Sequence, residues 1–294
     1  MVSSGHRTQA TDAGPAPSST GIHMITLGDL STDPSWRRPV LVPADHLVLV
    51  TGGHGTLEVD FQPLACRPGS LLRIRPGQAV RRVDPLDAHV VRWAAGSLHG
   101  LDLPPDPVPT LTQLNGEDEE AVVTEVSQLV VDYRRYGRGS PAGERLLRHQ
   151  LAVLLLRLAL TATPPATGTE IRTFRRLCQE VERHYRRTRR VEDYADRLGC
   201  SVRTLTRACL AVTGRSAKQV VDERVALQAR RLLAATDEPI AGIGRHLGFP
   251  EPTNFGRFFS REAGLSPGAF RATGGRVAPA RIPRPRPPHW TDRA

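Results

Sequence analysis

The feature that most constrains the fold is an internal repeat in the C-terminal part of the chain. The segment VEDYADRLGCSVRTLTRACLAVTGRS (191–216) aligns with IAGIGRHLGFPEPTNFGRFFSREAGLSP (240–267), at an offset of 49 residues before the turn and 50 residues after it. Each copy has a short helical pattern, a turn with glycine, a second helical pattern and a final glycine. This order is typical of a helix-turn-helix, so the repeat predicts two such motifs in tandem.

The second helix of each copy is predicted to have one apolar face and one polar face. The inward residues are Val202, Leu205, Cys209 and Val212 in the first copy, and Phe255, Phe258 and Phe259 in the second. The outward residues are Arg203, Thr206 and Arg207 in the first copy, and Thr253, Asn254 and Arg257 in the second. An arginine or an asparagine near the start of a helix can pair with guanine or adenine in the major groove of DNA. The alternative is that each polar face is simply exposed to solvent. Because both copies have the same two-faced layout, we favour DNA binding over this alternative.

The segment between the two motifs is predicted to be one long helix. It runs from Ser216, a candidate N-cap, to Ala235, which makes about 30 Å of helix at 1.5 Å per residue. The pitch of B-DNA is about 34 Å. A rigid helix of this length can therefore hold two reading helices in successive major grooves on one side of a duplex.

The charge of the chain is concentrated around the repeat. The net charge is +10, but residues 170–276 hold 21 Arg and Lys against 12 Asp and Glu, whereas residues 1–169 have a small net negative charge. A basic domain joined to a nearly neutral one indicates a nucleic-acid partner before a membrane.

Residues 172–272 resemble the DNA-binding domain of the AraC/XylS family of bacterial transcription regulators. The parts that carry the resemblance are ADRLGCSVRTLTR, TGRSAKQVVDERVALQARRLL and LGFPEPTNFGRFFSREAGLSPGAFR. The resemblance covers about a third of the chain and implies that both second helices read double-stranded operator or promoter DNA. The implied base contacts are Arg203, Thr206, Arg207, Thr253, Asn254 and Arg257. The implied phosphate contacts are Arg215, Lys218, Arg245 and Arg261.

The second motif departs from the family pattern at two glycines. Gly244 stands where the family usually has alanine, and Gly256 lies inside the second recognition helix. A glycine in the middle of a helix costs roughly 1 kcal/mol relative to alanine. We therefore expect the second motif to be the less rigid of the two.

The segment 21–110 is predicted to be a small β-barrel. It contains short apolar runs separated by turns, as in HLVLVTGGHGTLEVDF (46–61) and CRPGSLLRIRPGQAVRRV (66–83). This part resembles the cupin-like effector-binding barrel of many AraC-type regulators, which implies a small-molecule effector of unknown identity. Arg73 and Arg75 share a face of one strand, where they could meet an acidic effector or solvent.

Residues 111–160 are predicted to form a helical hairpin. Apolar residues recur at helical spacing in both halves, among them Val122 and Val126 in the first and Leu147 and Leu151 in the second. Two interpretations remain open: the hairpin covers the barrel, or its wide leucine face is the seam of a homodimer. In AraC/XylS regulators, which this chain resembles, the corresponding region is where dimers form.

The remaining segments are assigned by composition. Residues 1–20 are expected to be a disordered leader, 161–169 an interdomain linker, 170–276 the DNA-binding domain, and 277–294 an extended Pro- and Arg-rich tail. The longest apolar run, LAVLLLRLAL (151–160), is too short to cross a bilayer. A cytoplasmic location without a membrane partner is expected.

No catalytic constellation is predicted. The four cysteines form no CxxC pair, and His46 and His54 are isolated, so we expect no metal, no cofactor and no enzymatic activity. The sequence thus predicts a multidomain α+β transcription regulator, with RNA polymerase as a partner if it is an activator. The alternatives are a protein that binds DNA without sequence specificity and a cupin-type enzyme fused to a DNA-binding domain.

Overall fold

The computed structural model describes residues 21–103, 108–137, 140–161 and 168–276. The predicted leader, the predicted tail and most of the predicted linker lie outside these residues. Within the described ranges the chain has a β-barrel of two sheets, a pair of long helices and a second, all-helical domain.

The barrel consists of two antiparallel sheets whose inner faces pack together. The strands are β1 (Ile22–Ile25), β2 (Val40–Leu41), β3 (Asp45–Gly52), β4 (Gly55–Val59), β5 (Gln62–Cys66), β6 (Ser70–Ile74), β7 (Ala79–Arg82), β8 (Asp87–Trp93) and β9 (Leu111–Gln113). One sheet has the order β1-β8-β3-β6-β9 and the other the order β2-β7-β4-β5. Because side chains alternate along a strand, Val48 and Val50 of β3 lie in the core between the sheets, and Leu47 and Leu49 lie on the outer face. The two-sheet barrel agrees with the β-barrel predicted for this segment.

The barrel extends past its predicted boundary at residue 110. Strand β9 begins at Leu111 and pairs with β6, in the register Leu71 to Thr112. Residues 111–113 therefore complete the sheet and do not belong to the helical hairpin. The segment is too short to show the alternation by which the longer strands were found.

Two long helices cover the outer face of the five-stranded sheet. They are α1 (Gly116–Tyr136) and α2 (Pro141–Thr161). Their predicted apolar positions, including Val126, Leu129 and Leu151, share one core with Leu47 and Trp93 of the sheet. The hairpin thus covers the barrel, which was one of the two interpretations of its leucine face.

The helical domain contains the two predicted motifs on either side of a long helix. Its helices are α3 (Thr169–His184), α4 (Val191–Leu198), α5 (Val202–Thr213), α6 (Ala217–Ala235), α7 (Ile240–His246), α8 (Pro252–Ala263) and α9 (Pro267–Ala272). The predicted N-cap Ser216 forms a capping box with Gln219 at the start of α6. Helices α3 to α9 surround a single apolar core that contains Leu205, Phe255 and Phe259.

The barrel docks on the C-terminal end of α6 and on α9. At the tip of the β4–β5 hairpin, both oxygens of Asp60 accept hydrogen bonds from the Arg231 guanidinium at 2.7 Å. Beside this pair, the ring of Phe61 packs edge-on against Phe270 of α9 at a centroid distance of 5.7 Å. Arg38 donates to the carbonyl oxygens of Ala234 and Thr236, at the end of α6. We call this set of contacts the domain interface.

Among the described helices, none combines the length and the apolarity that a bilayer crossing requires.

Candidate nucleic-acid interface

The turns of the two motifs have the same backbone conformation at matching positions. Gly199 after α4 has φ 63°, and its counterpart Gly248 after α7 has φ 78°. Both lie in the left-handed region, which favours glycine over residues with a Cβ atom. At Gly248 a Cβ would also come within 2.9 Å of the Arg186 carbonyl oxygen. The repeat in the sequence is therefore a repeat in the backbone.

The second helices also end alike. α5 ends at Gly214 with φ 71°, and α8 ends at Gly264 with φ 73°. Two residues further on, Ser216 and Ser266 each accept a backbone hydrogen bond and cap the following helix. α5 and α8 are therefore equivalent helices of 12 residues each, and both end at a glycine.

The inward faces of α5 and α8 hold both helices on the core. Leu205 and Cys209 are fully buried, as are their counterparts Phe255 and Phe259. The prediction was wrong for Val202 and Val212, each of which is 37% exposed. They lie at the two ends of α5, where a helix of this length extends past the core it packs against.

The predicted base contacts lie on the outer faces of these helices. Arg203, Arg207, Thr253, Asn254 and Arg257 are exposed, and Thr206 is half-buried. Within the described part of the chain, Arg203 and Arg257 make no ion pair, and Arg207 has only a long one, at 3.9 Å to Glu170. Side chains in this state have donors available for a base edge. At the offset of 50 residues, Arg203 and Arg207 of α5 correspond to Thr253 and Arg257 of α8, whereas Thr206 and Asn254 have no counterpart in the other triplet.

The predicted phosphate contacts differ from the base contacts in their partners. Lys218 pairs with Asp222, Arg215 pairs with Glu223, and Arg261 pairs with Asp222 at 3.3 Å and with Glu262 at 2.8 Å. Arg245, in contrast, is exposed, and the described residues provide it with no ion-pair partner. Three of the four predicted phosphate contacts are therefore already neutralised by acids.

Asp222 is a residue that the sequence reasoning missed. It lies on α6 with its side chain 8% exposed and accepts from both Lys218 and Arg261. The spacing of Lys218 and Asp222 is a signal for the first contact, since residues four apart are neighbours on a helix. The contact with Arg261 joins α6 to α8 across 39 residues, and no local pattern indicates it.

Arg189 was missed as well. It lies between α3 and α4, and its guanidinium lies over the ring of Phe249 at 3.5 Å and 6.0 Å from that of Phe258 on α8. Burial lowers the pKa of this guanidinium, and the nearby charge of Asp222 partly opposes that shift. The cation thus packs on the aromatic core that supports α8, where a cation–π contact is favourable.

The barrel contains a buried arginine at a position that was predicted to face either an acidic effector or solvent. Arg73 is 6% exposed, donates to Asp45 at 2.6 Å and lies over the Trp93 ring at 4.7 Å. It does not face solvent. Its neighbour Arg75 donates to the carbonyl oxygen of Val108.

His46 is the other unusual side chain of the barrel. It is fully buried on the face of β3 that carries Val48 and Val50, so it lies toward the apolar interior. Its Nδ1 lies 2.9 Å from the Ala44 carbonyl oxygen, and its Nε2 has no hydrogen-bond partner. Burial lowers the pKa of this imidazole to about 4. Within the described ranges, no three His, Cys, Asp or Glu side chains are grouped so as to hold a metal ion.

Two helix-turn-helix motifs joined by one long helix define a tandem helix-turn-helix domain. Residues 194–273 match the family model described as "Helix-turn-helix domain". The C-terminal domain of this chain is therefore a helix-turn-helix domain.

Similarity to known proteins extends beyond that domain. The chain is 27% identical over 157 residues to the HTH-type transcriptional activator RhaS of Escherichia fergusonii, which is 52% of this chain and 55% of that protein. It is 26% identical over 244 residues to the arabinose operon regulatory protein of Salmonella typhimurium, which is 80% of this chain and 86% of that protein. The alignment with RhaS thus spans about half of that relative's length. The structure of ToxT from Vibrio cholerae O395 aligns with 88% of this chain and 96% of that chain, at 12% identity and a TM-score of 0.45.

Proposed function

We propose that this chain is a sequence-specific DNA-binding transcriptional regulator of the AraC/XylS type. The observation that carries the proposal is the equivalence of α5 and α8. Each helix has three outward side chains drawn from arginine, threonine and asparagine. Each follows a turn with glycine, ends at a glycine and is held on the core by a buried face. Such a surface suits recognition helices in the major groove.

The joining helix supports binding of both motifs to one face of a duplex. α6 has 19 residues, or about 28 Å, and it connects the end of the first motif to the start of the second. We infer that Arg203, Thr206 and Arg207 contact bases in one major groove, and that Thr253, Asn254 and Arg257 contact bases in the next. Arg245 would then contact phosphates along the intervening backbone, and Arg215, Lys218 and Arg261 would do so in competition with their carboxylate partners.

The outward residues favour sequence recognition over binding by charge alone. A protein that only neutralises phosphates needs cations, whereas Asn254 carries no charge and offers the donor and acceptor pair that matches adenine. Two relatives are named as transcriptional regulators, an activator and an operon regulatory protein. We therefore propose gene regulation, and not catalysis, as the activity of this chain, with the cytoplasm as its location and RNA polymerase as a further partner if the chain is an activator.

The barrel is proposed to sense a small molecule. The support is physical: the barrel contacts the DNA-binding domain through Asp60, Phe61 and Arg38, so a change in the barrel can reach α6 and α9. These are the helices that lie beside the second motif.

A homodimer through the helical hairpin is proposed on the surface that the barrel leaves uncovered. The large apolar side chains that remain exposed on α1 and α2 are Val123, Val131, Tyr136, Leu146, Val153, Leu156 and Leu160. The four on α2, Leu146, Val153, Leu156 and Leu160, fall within a sector of about 80°, and a second copy of this hairpin would cover that face.

The test of the function is selection of bound fragments from genomic DNA by the purified full-length chain at about 0.15 M salt, where nonspecific binding is weakened. We expect a small set of fragments that share two short elements one helical turn apart. Uniform recovery without a shared sequence would contradict the proposal and leave a charge-driven binder.

A further inference from the structure

Asp222 lies beneath two cations that come from different parts of the helical domain. Its Oδ1 accepts from Lys218, one turn earlier on α6, and its Oδ2 accepts from Nη2 of Arg261 on α8 at 3.3 Å. The Asp222 side chain is 8% exposed, whereas Lys218 and Arg261 are 54% and 62% exposed. The carboxylate is therefore enclosed and the cations face solvent.

The position of these side chains places them beside the outward face of α8. Residues 254, 257 and 261 fall within a sector of about 60° at 100° per residue, so Arg261 shares the face of Asn254 and Arg257. Arg261 and Lys218 line an open groove of about 530 Å³, together with Gln219, Asp222 and Glu262. The groove connects the start of α6, next to the first motif, with the second recognition helix.

The groove is electrically balanced in spite of the basic domain around it. Two cations and two carboxylates line it, so its formal charge is zero. A DNA phosphate that entered here would have to share Lys218 and Arg261 with Asp222 and would be repelled by that carboxylate. The recognition faces themselves carry Arg203 and Arg257 without such partners in the described chain.

We propose that Asp222 is a specificity-determining residue that lowers the affinity of the domain for DNA phosphates of any sequence. The inference rests on the proposed function. By occupying Lys218 and Arg261, Asp222 reduces the sequence-independent part of binding, and the base contacts of α5 and α8 retain a larger share of the total. Base contacts hold a specific complex in one register, whereas a duplex without a site is free to shift until its phosphates reach the groove. Asp222 therefore penalises random binding more than specific binding, and the ratio of specific to random affinity rises.

The test compares Asp222→Asn with the wild-type full-length chain on two duplexes of equal length. One duplex carries a site recovered by the genomic selection, and the other is a scrambled sequence of the same composition. We expect the affinity for the scrambled duplex to rise about fivefold and the slope of log affinity against log salt to steepen by about one. The affinity for the selected duplex should rise less, so the specificity ratio should fall.

Two variants serve as controls for this comparison. Asp222→Glu keeps the charge and should keep the wild-type ratio of affinities for the selected and the scrambled duplex. Glu180→Gln removes one negative charge from α3, where Glu180 pairs with Arg183, and should leave the ratio unchanged. Thermal unfolding of each variant separates an effect on DNA from an effect on folding.

Three outcomes would overturn the inference. Equal loss of affinity for both duplexes in Asp222→Asn would mean that Asp222 prepares the cations for phosphate and does not withhold them. A result indistinguishable from Glu180→Gln would mean that the groove lies away from the DNA. A wild-type chain that binds neither duplex would overturn the proposed function, and this inference with it.

Discussion

Arg257 and Arg245 offer a test of base against phosphate contacts at the scale of single residues. Both are exposed, one on the outward face of α8 and one on the preceding helix α7. We expect Arg257→Ala to weaken the binding free energy for a selected site by about 1–3 kcal/mol, because a bidentate contact with a base is lost. Its affinity for scrambled DNA should change little. Arg245→Ala should weaken both duplexes alike and reduce the salt slope by about one. Fluorescence anisotropy at several salt concentrations measures both effects, and identical behaviour of the two variants would contradict the assignment.

His46 makes the stability of the barrel depend on pH. Burial depresses the pKa of its imidazole from 6.5 to about 4 in the folded protein. Between those values the unfolded chain binds a proton that the folded chain does not, so stability is retained above pH 6.5 and declines as the pH falls toward 4. At pH 5 the loss relative to pH 7 amounts to about 2 kcal/mol.

The measurement is urea unfolding at pH 7 and pH 5, followed by the fluorescence of Trp36 and Trp93, which are both buried in the barrel. His46→Asn removes the titrating group, and the difference between the two pH values should shrink by about the same 2 kcal/mol. An unchanged difference in the variant would assign the acid sensitivity to other groups.

At the scale of secondary-structure elements, the two unusual glycines of the second motif have opposite roles. A Cβ atom on Gly256 of α8 would meet nothing within 4 Å. A Cβ atom on Gly244 of α7 would lie 3.1 Å from Cβ of Phe255 and 3.2 Å from its Cγ. The first glycine only weakens its helix, whereas the second makes room for the buried ring at the crossing of α7 and α8.

This contrast gives a matched pair of substitutions. Gly256→Ala should stabilise the helical domain by about 1 kcal/mol, the difference in helix propensity. Gly244→Ala should gain that propensity but lose more than it gains, because the added methyl group overpacks against Phe255, at a typical cost of about 1–3 kcal/mol. Chemical denaturation followed by far-ultraviolet circular dichroism measures both, and stabilisation by Gly244→Ala would show that the ring can move aside.

The elements of the helical domain were largely predictable from the sequence, since their signals are local. The matched glycines, the capping serine at 216 and the stripe of phenylalanines each act within a few residues, and their repetition doubled the signal. Strand β9 was missed, and Val202 and Val212 at the ends of α5 were wrongly predicted to face inward, for the converse reason. Three residues are too few for a period, and whether Val202 and Val212 are covered depends on where the neighbouring helices end.

At the scale of the whole molecule, the Asp60–Arg231 pair is the central contact between the domains. The side chains are 14% and 8% exposed, and the tip of the hairpin that carries Asp60 has positive φ at both Asp60 and Phe61. Such values are unfavourable for residues with a Cβ atom. The pair was beyond sequence reasoning, because its partners are 171 residues apart and belong to different domains.

We expect Arg231→Gln to separate the unfolding of the two domains. A buried acid that loses its partner costs about 3–5 kcal/mol, and undocking relieves that cost by exposing Asp60 to water. Scanning calorimetry should then show two transitions further apart than in the wild type, and small-angle scattering should show a larger radius of gyration. Arg183→Gln is the matched control, since Arg183 is 65% exposed and its partner Glu180 lies on the same helix. A variant at position 231 that behaves like this control would show that the interface does not depend on the pair.

The length of α6 has a consequence for the DNA that this chain can use. A single helix of 19 residues fixes both the distance between α5 and α8 and the angle between them. An extra base pair between the two recognition elements would move the second element by about 3.4 Å and turn it by about 34° around the duplex axis. The helix cannot accommodate a shift and a rotation together, so binding should depend on the spacing between the two elements as strongly as on their base sequence. Drift in promoter sequence would then be tolerated at single bases far more readily than at single insertions or deletions.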